Sequence, residues 1–419
     1  MYCQEELTQT KELIQHLKEV SEEPLLRDLA PEILKKIPQG VWMTSNRRVN
    51  LMRTHIFFMV GAVACILLIL FSLWLEFPKN GKRPERNHLS NNPLDEKMEE
   101  LLLKSNAITD AIDWLVKTQE PSGFWDAKKW GGHKDYTVGL TALSLLALLN
   151  SGKDSDATQS IIAVERAVKY LIKQQSDEGY FGPQCGRTMY NHGIATVALL
   201  EYYGISKDER LIKPLDRAIK YICTTQKKNG GWGYVDGKEN TSISVWPLLA
   251  LGLAQKMGCR SIQENLEKGI AWIKSMFDEK GYAGYSQRGD FPLGPETLTS
   301  MASFLISLYS DEKADSHGCE IDSGVKQSLE QIAAREDSNI NYYRWYFLIQ
   351  ALSTCDTQSD KWIDSLQKEL IKSQVKKGEH SGSWDPNDCW GSVGGRVYAT
   401  ALATLSLQLK EGAQIRPIR

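Results

Sequence analysis

The sequence predicts an all-α fold, an (α/α)6 toroid of helical-hairpin repeats preceded by one transmembrane helix and a short helical N-terminal segment. Three observations predict it: a turn motif that recurs along the chain, an apolar helix after each turn, and one long uncharged run near the N-terminus. Self-similarity at a fixed period is the mark of repeat architectures, in which each unit buries its apolar face only against its neighbours.

Residues 1–46 come first. Their apolar positions Leu7, Ile14, Leu17 and Val20, then Leu25, Leu26, Leu29, Ile33, Leu34 and Ile37, are spaced for two short amphipathic helices. That segment reads as a small cytoplasmic interaction module or as a solvated tail. Residues 55–77 hold the run IFFMVGAVACILLILFSLWL, twenty residues without a charge. About 30 Å of hydrocarbon requires that length at about 1.5 Å per residue, so the segment is expected to be a single-pass membrane anchor. It lies too deep in the chain for an ordinary cleaved signal peptide. Basic residues on its two sides nearly cancel, and the slight excess before it favours a cytoplasmic N-terminus with the large domain outside, in the cell (inner) membrane. Residues 78–104, polar and bearing proline, read as a linker.

From 105 to 410 the hairpins follow. The triples Gln119-Gly123-Trp125, Gln175-Gly179-Phe181 and Gln226-Gly230-Trp232 share the pattern Q-x3-G-x-aromatic. A fourth copy keeps Gly281 without the glutamine, and a late copy, Gln374 with Gly382 and Trp384, carries an insertion. Glycine supplies the positive φ of a helix stop, the aromatic covers the junction, and the glutamine is expected to hydrogen-bond exposed amides where the next helix begins. These residues are expected to stabilise rather than to catalyse. After each turn comes a segment apolar nearly all round: 137–149, 191–203, 242–253, 297–309, 342–353 and 396–409. Such helices belong inside, and six hairpins with amphipathic outer helices close into a double ring.

Composition narrows the function. With 50 Lys+Arg against 52 Asp+Glu, the net charge of -2 gives no field to draw nucleic acid. The eight cysteines form no CxxC pair, so zinc-finger and thioredoxin readings fall away. The six in the large domain read as buried free thiols or, if that domain is exported, as disulfides.

The triples resemble the QW repeats of squalene-hopene cyclases and protein prenyltransferase β subunits. The stretches MYNHGIATVALLEYYG, NTSISVWPLLALGLAQ, NINYYRWYFLIQAL and KSQVKKGEHSGSWDPNDCWGSVGGRVYATALATLSL look like bacterial squalene-cyclase-like repeat proteins. The resemblance covers 105–410 and implies a fold more than a reaction. A squalene-hopene cyclase needs a strong acid to protonate an alkene, from a DxDD motif ahead of an inner helix. No DxDD is present: where the resemblance would place it stand Glu239, Asn240, Thr241 and Ser242. A lone Asp135 occupies the comparable place in the first hairpin and reads as a helix N-cap. The prenyltransferase zinc set of Asp, Cys and His is represented only by Asp388 and Cys389, so no metal and no cofactor is expected.

Alternation sends all six inner-helix N-termini to one mouth, where their dipoles converge. The candidate ligand-binding residues there are Tyr190, His192, Tyr343, Arg344, Trp345 and, in the last hairpin, Asp388, Trp390, Arg396 and Tyr398. Aromatics and arginines around a depression suit a hydrophobic or anionic small ligand, or a protein partner; equally, they plug the axis. Two arginines at positive helix ends ask for an anionic partner, either Asp385 and Asp388 or a ligand. The first functional reading is therefore a non-catalytic, membrane-anchored binding module facing outside the cytoplasm. The alternative is a terpenoid cyclase or prenyltransferase-like enzyme lacking the usual acid. A second alternative, a carbohydrate-active toroid, has only Asp135 and Asp388 to offer as paired carboxylates.

Overall fold

The computed structural model describes residues 93–409 apart from 152–156, 235–236, 310–322, 336–339 and 355–358. Twelve α-helices in strict outer–inner alternation make up the described chain: α1 (Pro93–Thr118), α2 (Thr137–Leu149), α3 (Ala157–Lys173), α4 (Thr188–Ser206), α5 (Ile212–Thr225) and α6 (Thr241–Lys256), then α7 (Gln263–Ser275), α8 (Glu296–Tyr309), α9 (Ser323–Ala334), α10 (Tyr342–Thr354), α11 (Asp360–Ser373) and α12 (Gly391–Gln408). Among the described residues there is no strand, only isolated bridges such as Gln175 to Phe181 across a turn. Each even-numbered helix packs on the next even-numbered one, and α12 packs back on α2. The all-α toroid is thus closed.

The sequence separates the two rings. In α2 every residue from Val138 to Leu148 is buried, as is nearly all of α6 from Ile243 to Ala254. The outer α5 buries only Pro214, Leu215, Ala218, Ile219 and Ile222, one stripe at helical spacing. Inner helices meet closely because small residues face them: a Cβ on Gly193 of α4 would sit 2.7 Å from the Trp246 Cβ of α6. Proline at 247, inside α6, packs on that same glycine.

Two expectations are revised, the extent of the linker and the burial of the cysteines, while the last inner helix becomes regular where expected. The first outer helix begins at Pro93, inside the segment read as linker 78–104, so the toroid takes up part of it. In α12 Gly395 adopts φ +67°, and regular helix starts at Arg396; the Arg396 N–H then donates to the Trp130 carbonyl at 2.8 Å. The four described cysteines are free thiols, but Cys185, Cys223 and Cys259 are only half-buried and Cys389 is exposed. Segments 1–46 and 55–77 lie outside the described residues. Among the described residues no helix is long and apolar enough to cross a membrane.

Candidate functional site at the mouth of the inner ring

The turns fix the register of the ring. Gln119 Nε2 donates to the Gly123 carbonyl at 3.1 Å and to Ala163 of the next outer helix at 2.8 Å. Gln175 does the same to Gly179 and Pro214, and Gln226 to Gly230 and Asn265. Gln374 reaches Gly382 and, at 2.8 Å, Ala107 of the first outer helix. The glutamines therefore serve carbonyls, not the helix-start amides expected from sequence: the amide NH2 is the group that spans two acceptors. Trp125, Phe181, Trp232 and Trp384 are fully buried. The indole N–H groups of Trp125, Trp232 and Trp384 donate to Leu115, Ile222 and Leu370.

A second device went unread in the sequence. In four of the described turns the backbone N–H of the closing residue donates to a hydroxyl on the following inner helix: Trp125 to Thr141, Trp232 to Ser244, Ala283 to Thr299 and Trp384 to Thr400. In the second hairpin the acceptor is His192, whose Nδ1 lies 3.1 Å from Phe181 N while Nε2 reaches the Ala218 carbonyl at 3.2 Å. His192 is fully buried, and burial pushes its pKa down to about 3. It is a neutral structural histidine and not part of the mouth.

The remaining sequence candidates divide into two groups. Asp388, Arg396 and Tyr398 form a self-satisfied junction of the last two hairpins. Arg396 pairs with Asp385 and donates to Ser383 Oγ at 3.0 Å. Asp388 accepts from Tyr398 OH at 2.8 Å and from the backbone N–H of Tyr342 and Trp390. Its burial raises the carboxyl pKa against those hydrogen bonds. The demand of Arg396 for an anion is thus met inside the protein, and Arg344 also has its own interactions. Trp345 is buried, and Trp390 stands 36% exposed. Asp135 caps nothing: the cap of the short turn before α2 is His133, whose Nδ1 accepts from Asp135 N at 3.3 Å. Asp388 is thus committed to its own hydrogen bonds, while the carboxyl of Asp135, the other residue of the carbohydrate reading, stands 3.6 Å from His133 on the short turn.

The second group converges. Tyr190 of α4 shares a hydrogen bond of 2.8 Å with Ser242 at the start of α6. Tyr285, in the loop before α8, lies close enough to Ser242 and Tyr234 for both to perturb its hydroxyl. Tyr343 of α10 accepts from Trp246 Nε1 at 2.7 Å and lies within electrostatic reach of Tyr136 and Tyr234. Arg187, at the N-cap of α4, spans the faces of Tyr136 and Tyr234 with its Cζ 5.7 Å and 5.9 Å from the ring centroids. Five phenols from different hairpins and one guanidinium thus meet where the inner helices begin. Burial raises the pKa values of Tyr136, Tyr190, Tyr285 (to about 12) and Tyr343, so these hydroxyls stay neutral near pH 7 and can donate as well as accept. Tyr190 and Tyr343 were legible beforehand; Arg187, Tyr234 and Tyr285 were not, because they sit in loops that only the closed ring brings together.

Among the described residues, the place where the resemblance puts an acid holds a cap instead. Asn240 Oδ1 caps α6 by accepting from Ile243 N at 2.9 Å. A carboxyl held near neutrality lies elsewhere on the inner ring: burial raises Glu201 of α4 to about 7, against the pull of Lys256, and its Oε1 is buried without a partner. Such a group is too weak an acid to protonate an unactivated alkene readily.

Among proteins of known activity, a stretch of 194 residues, 46% of this chain, is 25% identical to drimenyl diphosphate synthase of Streptomyces showdoensis. Another of 209 residues is 24% identical to squalene–hopene cyclase of Zymomonas mobilis. These stretches span 34% and 30% of the relatives' own lengths. In structure, 73% of the chain overlays 98% of the type II terpene cyclase MstE from Scytonema, with TM-score 0.51 and 14% identity. It overlays the GH76A α-1,6-mannanase of Salegentibacter sp. HEL1_6 over the same shares, at 0.56 and 10%; likenesses at such identity show the fold alone. The model of the prenyltransferase alpha-alpha toroid domain matches residues 100–241 and again 236–415, and the chain belongs to that family.

Proposed function

We propose that the protein is a terpenoid-cyclase-like toroid that takes an isoprenoid-type hydrophobic ligand with its polar end at the tyrosine-lined mouth. The stretches shared with two cyclases support the ligand class, which replaces the unspecified binding module expected from sequence alone. The observation that carries the placement is the convergence of Tyr136, Tyr190, Tyr234, Tyr285 and Tyr343 with Arg187 at the N-terminal end of the inner ring. Neutral phenols bind oxygen-rich groups, and their rings offer faces to apolar or cationic ones. Residues 55–77 are proposed to anchor this toroid in the membrane, its natural source of hydrophobic ligand.

A second reading, binding without turnover, is favoured by Asn240 and Thr241 standing where a cyclase acid is expected and by the weak acidity of Glu201. One experiment addresses both. The full-length protein, purified in detergent, is extracted with organic solvent and the extract analysed by mass spectrometry; in parallel it is incubated with squalene and with a geranylgeranyl substrate, and products are separated by gas chromatography. A retained isoprenoid with a cyclised product supports the enzyme. Retention without conversion selects the binder, and neither retention nor conversion overturns the isoprenoid assignment.

A further inference from the structure

Near the C-terminal ends of the inner helices, the end of the ring opposite the mouth, buried oxygens stand without donors. Glu201 Oε1 of α4, Gln350 Oε1 of α10 and Gln408 Oε1 of α12 have no hydrogen-bond partner among the described residues, and Gln350 is only 1% exposed. Each such group has given up its bond to water without replacement, which folded proteins rarely leave standing. In the ring order α2, α4, α6, α8, α10, α12, helices α4 and α10 stand opposite each other. Glu201 nevertheless acts electrostatically on the hydroxyl of Tyr346, one turn before Gln350, and the Gln350 amide perturbs the same hydroxyl. The carboxyl and the Tyr346–Gln350 pair therefore meet across the axis. Tyr346 is fixed there by stacking on Trp246, the rings 9° from parallel, and by Phe347 edge-on at 5.0 Å.

Acceptors that meet with no donor between them lack one hydrogen. A proton from solvent on Glu201 supplies it: the carboxyl loses its charge and becomes a donor. Its surroundings favour that form, since burial raises the carboxyl to about 7 and the partial negative charge of the converging helix ends disfavours a carboxylate. Lys256, at the end of α6, pulls the other way. The other neighbours are neutral or engaged. Tyr309 of α8 donates to the Leu248 carbonyl at 2.9 Å, and α2 carries no titratable side chain. Tyr221 of α5 packs on His192 in the mouth half, and Glu165 of α3 is held by Tyr202 and Arg210. Between α4, α6 and α8 lies a cavity of about 20 Å³, lined by Val197, Gly252, Lys256 and Tyr309 among others. It begins one turn before Glu201 and gives an ionised carboxylate a second place to turn. We infer that Glu201 is a proton-operated latch at the base of the inner ring: carrying a proton it donates across the axis to Tyr346 and Gln350 and joins α4 to α10, and without one it turns to Lys256 and the base loosens. The latch lies at the far end from the mouth and is independent of what the mouth binds.

The test uses the full-length chain in detergent and two measurements. Infrared difference spectroscopy follows the stretch of protonated carboxyls across pH; wild type is expected to lose a band with a midpoint of about 7 that Glu201→Gln lacks. Hydrogen exchange is then read at the backbone amides in the C-terminal turns of α4 and α10, divided by the intrinsic rate at each pH. In wild type it is expected to be at least about fivefold faster at about pH 8.5 than at about pH 6. Glu201→Gln, whose amide donates at any pH, is expected to keep the slow rate at both. Tyr346→Phe, which keeps the stacking ring and removes the hydroxyl, is expected to be fast at both. A band that titrates in the ordinary carboxylate range, or wild type and Glu201→Gln responding to pH alike, overturns the latch. So does a midpoint of about 7 with exchange that ignores pH, because the proton is then held without joining the helices. Should Glu201→Gln differ from wild type in circular dichroism, Lys256→Met decides. It removes the charge that draws the carboxylate away, so the loosening is expected to move to higher pH, and an unmoved midpoint rejects the latch.

Discussion

At position 192 a histidine stands where threonine or serine serves in four other hairpins. Its imidazole is one of the few side chains that can accept from Phe181 N and donate to the Ala218 carbonyl at once, and only the neutral tautomer with hydrogen on Nε2 does both. The ring also stacks on Phe181 and meets Tyr221 edge-on. In sequence it looked like a mouth residue because it lies near the start of an inner helix. The register that would have corrected this was hidden by loop length: the acceptor follows its turn residue by 16 positions in three hairpins but by 11 here and 12 at Ser244. The folded-state pKa, about 3, lies below the ordinary histidine value of 6.5. The unfolded chain therefore takes up a proton that the folded one refuses, and stability is lost as pH falls from about 6.5 towards 3, by up to about 1.4 kcal/mol per unit. Urea unfolding of His192→Thr is expected to show lower stability at pH 7.5, from the emptied ring volume, but a flatter decline between pH 6 and pH 4. Parallel declines in variant and wild type would reject this account.

At the scale of the element, the turn shows how much the sequence could carry. Glycine, glutamine and aromatic at fixed spacing announced where three outer helices stop, and the structure shows why only glycine serves. Gly230 has φ +107°, and a Cβ there would lie 2.4 Å from the Lys268 carbonyl oxygen of the next outer helix. The turn is pressed onto its neighbour, so the motif is an inter-repeat joint as well as a stop. That second role is invisible in one repeat, because the partner carbonyl comes from a helix about forty residues away and belongs to no motif. Gly258 provides the control: φ is +94°, yet nothing lies within 4 Å of its Cβ position. Both Gly→Ala variants carry the strain of a left-handed alanine, about 1 to 2 kcal/mol, but only Gly230→Ala adds a backbone clash. Chemical denaturation is expected to find Gly230→Ala at least about 2 kcal/mol less stable than Gly258→Ala, the order of an overpacked site. Equal losses would mean that the turn yields and the joint is loose.

For the whole molecule, six inner helices, their alternation and closure into a ring were readable from hydropathy and repeat number, whereas the contacts of the seam were not, since they join residues at the two ends of the repeat array. Gln374 donates to Ala107, Gln408 Nε2 to Ala147 at 2.8 Å, and His133 N to Val393 at 2.7 Å, so the last hairpin holds the first as each holds its neighbour. The mouth depends on this closure, because its tyrosines come from hairpins that face one another only in a ring. An open array would behave otherwise: its end repeats contact one neighbour each, fray separately, and tolerate substitutions there. In a closed ring no joint is terminal. Gln374→Ala, at the seam, and Gln226→Ala, mid-chain, each deprive two carbonyls of their donor. Both are expected to destabilise by about 1 to 3 kcal/mol, with unfolding still a single transition. The comparison is made by calorimetry on the full chain in one detergent. Were Gln374→Ala silent while Gln226→Ala destabilises, or were the seam variant to melt in two steps, the first and last hairpins would be neighbours without being a joint, and the mouth would have to be held together by the inner helices alone.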